Sequence, residues 1–273
     1  MFGLACACSL LVACSGGGGP ETVVVTSTSF VAEPPAPQPT PASDAQSLLD
    51  ATVTHVLATF GGEFGAATVG ERGPVVAGFS DASPAWSTIK VPISVAAMQN
   101  APSLEPDVRA ALTVSDNAAA ERLFHAVGPD AVDLVFGEAG LAARVNTVKV
   151  RPEFSTFGQT MLSVGDEAVL ANYLACLAGA GPVLTLMGQV DAAQSYGLGT
   201  AGALFKGGWG PDTAGNYHVR QFGLIPRGDG VWSPVALTAL PGDGTYETGQ
   251  AMLTAAAQQL AGAAALPAAR CQP

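Results

Sequence analysis

The chain has 273 residues, 48% of them hydrophobic, enough to bury one sizeable core or one core with a small helical lobe. Its formal charge of −11 and the want of a basic patch to neutralise phosphates argue against nucleic acid as a partner. An acidic balance otherwise says only that the surface is soluble and repels polyanions.

The first fourteen residues, MFGLACACSLLVAC, form an apolar run that ends in Leu11-Val12-Ala13-Cys14. That tetrapeptide resembles a bacterial lipobox, in which the cysteine is lipidated and becomes the mature N-terminus. Residues 1–13 are therefore expected to be a lipoprotein signal peptide, with Cys14 as the lipidation site. No Lys or Arg precedes the run, a departure from the usual basic start of a signal peptide. The run is far too short to span a bilayer. Residues 14–43 are rich in Gly, Pro, Thr and Ser, with Pro34-Pro35-Ala36-Pro37-Gln38-Pro39 at the centre. Such a segment cannot bury a core and reads as a flexible tether. This start implies an extracytoplasmic protein held to the outer face of the cell membrane through lipid alone.

A folded domain is expected over residues 44–273. Residues 45–59 place Leu48, Leu49, Val53, Val56 and Leu57 on one helical stripe, which Gly61-Gly62 ends. Ala66 to Gly70 and Val75 to Phe79 read as a hairpin through Glu71-Arg72-Gly73-Pro74. Short alanine-rich helices are expected over 88–99, 106–112, 117–127 and 130–139, then over 164–177 and 182–190. From residue 202 the pattern turns strand-like, with Ala203 to Phe205, Tyr217 to Ile225 and Val231 to Leu240. An amphipathic helix near 246–261 closes the chain. This order is α+β, and for the strands to share one sheet the helical block must be an insertion.

Chemistry concentrates in three short motifs. The chain has only three lysines, and two of them sit in Ser87-Thr88-Ile89-Lys90 and in Lys206-Gly207-Gly208, with Ser115-Asp116-Asn117 between. If a helix begins near Thr88, Ser87 lies at its N-terminus and Lys90 follows on the same face. Unpaired N–H groups there favour an alkoxide and lower the lysine's basicity, so Lys90 can take the serine proton. Ser115 offers a second hydroxyl for proton relay, and Asn117 an amide for a substrate carbonyl. Lys206 supplies positive charge for a carboxylate at the end of the strand from Ala203. Gly208 leaves room for substrate backbone, and the Trp209 and Ser87 N–H groups can form an oxyanion hole. Each motif alone has a plain structural explanation, as a helix cap or an exposed turn. Lys90 Nζ, Ser115 Oγ and Lys206 Nζ should converge on Ser87 Oγ if the site is built this way.

The order S-x-x-K, S-D-N, K-x-G is the motif set of the penicillin-recognising serine enzymes. Residues 44–273 resemble the serine β-lactamase and penicillin-binding protein superfamily, and the class A β-lactamases within it. The resemblance implies an antiparallel sheet of about five strands flanked by helices, with a helical lobe inserted between strands 2 and 3. It implies a serine hydrolase working through an acyl-enzyme on Ser87, with a β-lactam or a peptidoglycan-type peptide carrying a carboxylate as substrate. The alternative is a non-catalytic envelope lipoprotein that binds a wall peptide in the same cleft.

Three departures bear on activity. Ser87 and Ser115 lie 28 positions apart, about half the usual separation, so the helical lobe is reduced. Gly207 stands where the family has Thr or Ser to bind a substrate carboxylate. No E-x-x-L-N motif lies between Asn117 and Lys206, and Glu153 is the one carboxylate in 151–160, the candidate to activate a deacylating water. Deacylation is therefore expected to be weak. His55, His125 and His218 suggest no better scheme, and neither metal nor other cofactor is expected. Cys176 and Cys271 remain as a pair for a disulfide in an oxidising compartment, or as two unpaired thiols. The protein is expected to be a monomer.

Overall fold

A computed structural model describes residues 44–227 and 230–271. The signal peptide, Cys14 and the tether lie outside the described residues.

Helix α1 (Asp44–Phe60) buries Leu49, Val53 and Val56 on one stripe. Strands β1 (Glu63–Gly70) and β2 (Gly73–Gly78) form the hairpin, with Gly65 opposite Gly78. A two-residue strand, β3 (Ser83–Pro84), leads into a 3₁₀ turn over Trp86–Ile89 and then α2 (Lys90–Asn100). Helices α3 (Glu105–Thr113) and α4 (Asn117–Glu138) follow. Strand β4 (Met161–Leu162) pairs with β3, and α5 (Val164–Cys176) and α6 (Gly181–Met187) complete the helical block. Strands β5 (Leu204–Pro211), β6 (Tyr217–Pro226) and β7 (Trp232–Leu240) precede α7 (Tyr246–Leu260).

The sheet is antiparallel, ordered β2-β1-β7-β6-β5. The first hairpin and the last three strands thus meet, and the helical block is inserted between them, as expected. Alternation along each strand splits the core in two. Phe64, Val219, Val235 and Leu237 pack with Leu49, Val56, Leu253 and Leu260 beneath α1 and α7. Ala67, Phe222, Leu224 and Ala236 face the helical block, with Ile93, Leu112, Leu123 and Leu170.

Four sequence boundaries need correction. The nucleophile segment is a 3₁₀ turn before α2, so Lys90 rather than Thr88 opens the α-helix. The helices expected over 117–127 and 130–139 run together as α4, kinked where Gly128 takes φ 74° ahead of Pro129. Helix α6 stops at Met187, short of residue 190. The strand expected at 203–205 continues to Pro211, so Lys206-Gly207-Gly208 lies within β5 and not at its end. Pairing explains this last difference, since every residue from Leu204 to Pro211 has a partner on β6.

Cys176, at the end of α5, is joined to Cys271 by a disulfide, with Cα atoms 5.0 Å apart. Beside it Asn172 Nδ2 donates to Arg270 O at 2.9 Å and Arg270 N donates back to Asn172 Oδ1 at 2.8 Å.

Candidate active site

Two non-glycine residues among those described have positive φ, Trp86 at 53° and Ser115 at 60°. Each such conformation costs on the order of 1–3 kcal/mol and persists only where the surroundings fix it. Trp86 immediately precedes Ser87, and Ser115 opens the second motif. Backbone strain therefore falls immediately before one of the serines singled out by sequence and on the other.

The surroundings that hold Trp86 are visible. Its indole Nε1 donates to His218 Nδ1 at 3.2 Å, and His218 Nε2 lies 2.6 Å from Thr238 Oγ1. An accepting Nδ1 assigns the imidazole proton to Nε2, which donates to Thr238. Burial pushes the His218 pKa down to about 3, so the ring is neutral. Phe154 meets the indole edge-on at 5.1 Å. On its other side the ring needs Gly210, where an added Cβ would come within 2.4 Å. Gly208 is required in the same way, because a Cβ there would lie 2.7 Å from Ala85 O and 2.8 Å from Ser87 N. The backbone of β5 thus runs directly against the nucleophile turn, and Lys206 shares the face of Gly208 and Gly210.

A second network supports the turn from within the core. Thr88 Oγ1 sits 2.6 Å from both Ala85 O and Glu167 Oε1. Glu167 Oε2 accepts from Arg220 Nε at 3.0 Å and pairs with Nη2 at 2.8 Å, with both side chains fully buried. Burial raises the Glu167 pKa, and the Arg220 guanidinium opposes that shift. Arg220 Nη1 also donates to the carbonyls of Ser83, Pro84 and Leu162. One buried ion pair therefore ties β6, α5, the β3–β4 pair and the residue after Ser87 together.

The lysines converge on Ser115. Lys90 Nζ donates to Ser115 O at 2.5 Å, Asn117 Oδ1 at 2.7 Å and Ser115 Oγ at 3.1 Å. Lys206 Nζ lies 3.0 Å from the same Oγ and 2.8 Å from Gly207 O. Both side chains are buried, and burial is the main cause of their reduced basicity. Lys90 is lowered to about 8, and Lys206 lies well below its usual value, pushed further by the Lys90 charge. Ser115 Oγ is thus a bridge between two amines whose basicity burial has reduced.

Ser87 is half-buried and, among the described residues, its Oγ makes no hydrogen bond. The Lys90 ammonium is satisfied by Ser115 and Asn117, and Ser87 lines the same cleft as Ser115. Ser87, Ser115, Asn117, Trp209, Trp86 and Glu153 line one cleft of about 280 Å³. Glu153 is the only carboxylate among the lining residues, and no hydrogen bond joins it to Ser87. Its own backbone and Arg151 hold its carboxyl below the usual carboxylate range. Sequence reading did not single out Glu167, Arg220, Thr88 or Arg151. Glu167 and Arg220 both lie in segments whose other face is apolar, and a charge buried there calls for a partner.

No family model matches the sequence. No curated protein matches it either. Solved structures do. The β-lactamase from Sphaerobacter thermophilus aligns at TM-score 0.61 and 19% identity, over 78% of this chain and 95% of that one. A class A β-lactamase from Mycobacterium abscessus aligns at 0.62 and 14% identity, over 78% and 97%. A β-lactamase from Chitinophaga pinensis aligns at 0.64 and 15% identity, over 77% and 97%. The chain has the β-lactamase fold.

Proposed function

We propose that this chain, built on the β-lactamase fold, is a serine acyl-transfer enzyme that forms an acyl-enzyme on Ser87. The observation that carries the reading is Ser115 Oγ between two buried lysines of reduced basicity, in a cleft that also exposes Ser87. Ser87 Oγ attacks a carbonyl carbon while its proton passes to the neutral fraction of Lys90, which turns from its Ser115 contacts to reach it. The Ser87 and Trp209 N–H groups receive the developing oxyanion. As the carbon–nitrogen bond breaks, the leaving nitrogen takes a proton from Lys90 through Ser115 Oγ. Asn117 holds a substrate carbonyl, and Lys206 favours a substrate carboxylate beside Gly208. The substrate class is a β-lactam or a peptide bearing that carboxylate.

Turnover by water is slow on this reading. Glu153 alone among the lining carboxyls could activate water, and its lowered pKa makes it a poor proton acceptor. On the same reading the lipobox-like Leu11-Val12-Ala13-Cys14 holds the enzyme outside the cytoplasm through lipid on Cys14, and the enzyme acts as a monomer. A second reading, a non-catalytic envelope protein that binds a wall peptide in the same cleft, draws on the unbonded Ser87 Oγ.

Intact mass after incubation with a fluorescent penicillin separates the two. The enzyme reading expects an adduct on the wild type, absent in Ser87→Ala, that forms faster as pH rises through about 8. Absence of any adduct, with no hydrolysis of ester or β-lactam reporters, sinks it in favour of the binding protein.

A further inference from the structure

The cleft lining holds both signs of charge within reach. Lys90 and Lys206 gather, buried, on Ser115, and Glu153 stands alone as a carboxylate among the lining residues. The Glu153 side chain is 54% exposed. Both of its Arg151 contacts, from Nε at 3.0 Å and Nη2 at 2.8 Å, fall on Oε1. Oε2 is thereby left without an arginine partner.

Arg151 is itself fixed by other contacts. Its Nη1 donates to Pro211 O, and its guanidinium lies 4.4 Å over the Phe154 ring. Gln159 clamps its backbone, accepting from Arg151 N at 2.8 Å and donating to Arg151 O at 3.1 Å. The carboxylate is therefore held in place by a braced loop. Aromatic side chains of Trp86, Phe154 and Trp209 share the cleft lining, and ring faces favour a nearby cation. An ionised, weakly basic carboxylate in such a place suits electrostatic recognition better than proton abstraction.

We propose that Glu153 anchors a protonated amine of the substrate, so that the cleft selects molecules with a carboxylate near the lysines and an ammonium near Glu153. The proposal rests on the reading of the Ser87 cleft as the substrate site. It assigns that site a zwitterionic substrate class, and it gives Glu153 a role in specificity rather than in deacylation. Arg151 offsets part of the charge and the group is half exposed, so the expected preference is several-fold.

Ampicillin and benzylpenicillin differ by one side-chain amine and test this directly. Their binding to Ser87→Ala protein can be measured by calorimetry at about pH 6, where the amine is protonated and Glu153 ionised. Ampicillin is expected to bind about two- to fivefold more tightly. Adding Glu153→Gln should remove the preference, and adding Glu153→Lys should reverse it. Equal binding of the two, no binding of either, or a preference that survives Glu153→Gln overturns the proposal. Ser87→Ala cannot be acylated, so the result is independent of turnover. A Glu153-dependent preference without any wild-type adduct would keep the anchor and remove the acyl-enzyme reading.

Discussion

Acidification should unseat the turn that carries Ser87 through a single imidazole. His218 is 6% exposed, and burial, reinforced by the Arg220 charge, lowers its pKa from 6.5 to about 3. The unfolded chain takes up this proton below about pH 6.5, whereas the folded chain refuses it until about pH 3. Stability from the neutral ring is thus fully present above pH 6.5 and drains as pH falls toward 3, at about 1.4 kcal/mol per unit. Two units of acidification, to about pH 4.5, cost about 2.7 kcal/mol. Protonated Nδ1 also cannot accept from Trp86 Nε1, so the strained φ before Ser87 loses its polar restraint. Urea unfolding of wild type and His218→Gln at about pH 7 and about pH 4.5 measures this, because the other acids cancel in the comparison. The variant should be weaker at neutral pH by about 1–3 kcal/mol for its lost hydrogen bonds. It should then lose about 2.7 kcal/mol less than wild type on acidification. Parallel losses in the two proteins would refute the reasoning.

Glu167→Gln leaves the Arg220 guanidinium buried without its counter-charge and is expected to destabilise by about 3–5 kcal/mol. Thermal unfolding checks it, and Glu167→Leu with Arg220→Met should recover part of the loss. An unshifted melting temperature would contradict the buried pair. Gly207→Thr restores the hydroxyl that the motif lacks, and a Cβ there meets Gln221 Cγ and Tyr196 Oη at 3.7 Å and Arg220 O at 3.8 Å, all ordinary contacts. The variant should fold and acylate about tenfold faster with carboxylate-bearing β-lactams, the worth of one charge-assisted hydrogen bond. An unchanged second-order rate of adduct formation would remove that role from position 207.

The fold was legible because its signals are local. Strand-like runs between turn residues marked β6 and β7, an apolar stripe marked α1, and three motifs came in a recognisable order. Strand β5 was misread because glycines at 207, 208 and 210 are poor strand formers. Close packing against Ala85, Ser87 and Trp86 imposes Gly208 and Gly210, and that is a tertiary demand. Ser87, Ser115, Asn117 and Trp209, which line one cleft, were singled out by the motifs. The network behind them was not, because Glu167 and Arg220 are 53 positions apart and neither belongs to a motif. The positive φ at Trp86 and Ser115 left no trace in residue type, since neither is glycine.

The bond between Cys176 and Cys271 closes a ring with a sequence separation of 95 residues, which contains α6, β5, β6, β7 and α7. Removing that loop's freedom from the unfolded chain is worth about 4.7 kcal/mol on the loop-entropy account. The ring also sets a path for mechanical force. A pull between the two ends of the domain passes from residue 44 along the chain to Cys176, crosses to Cys271 and leaves. Once the fold gives way, that pull can extend the nucleophile turn and the helical block, while the segment that holds Lys206, His218 and Arg220 cannot be drawn out until the disulfide is reduced.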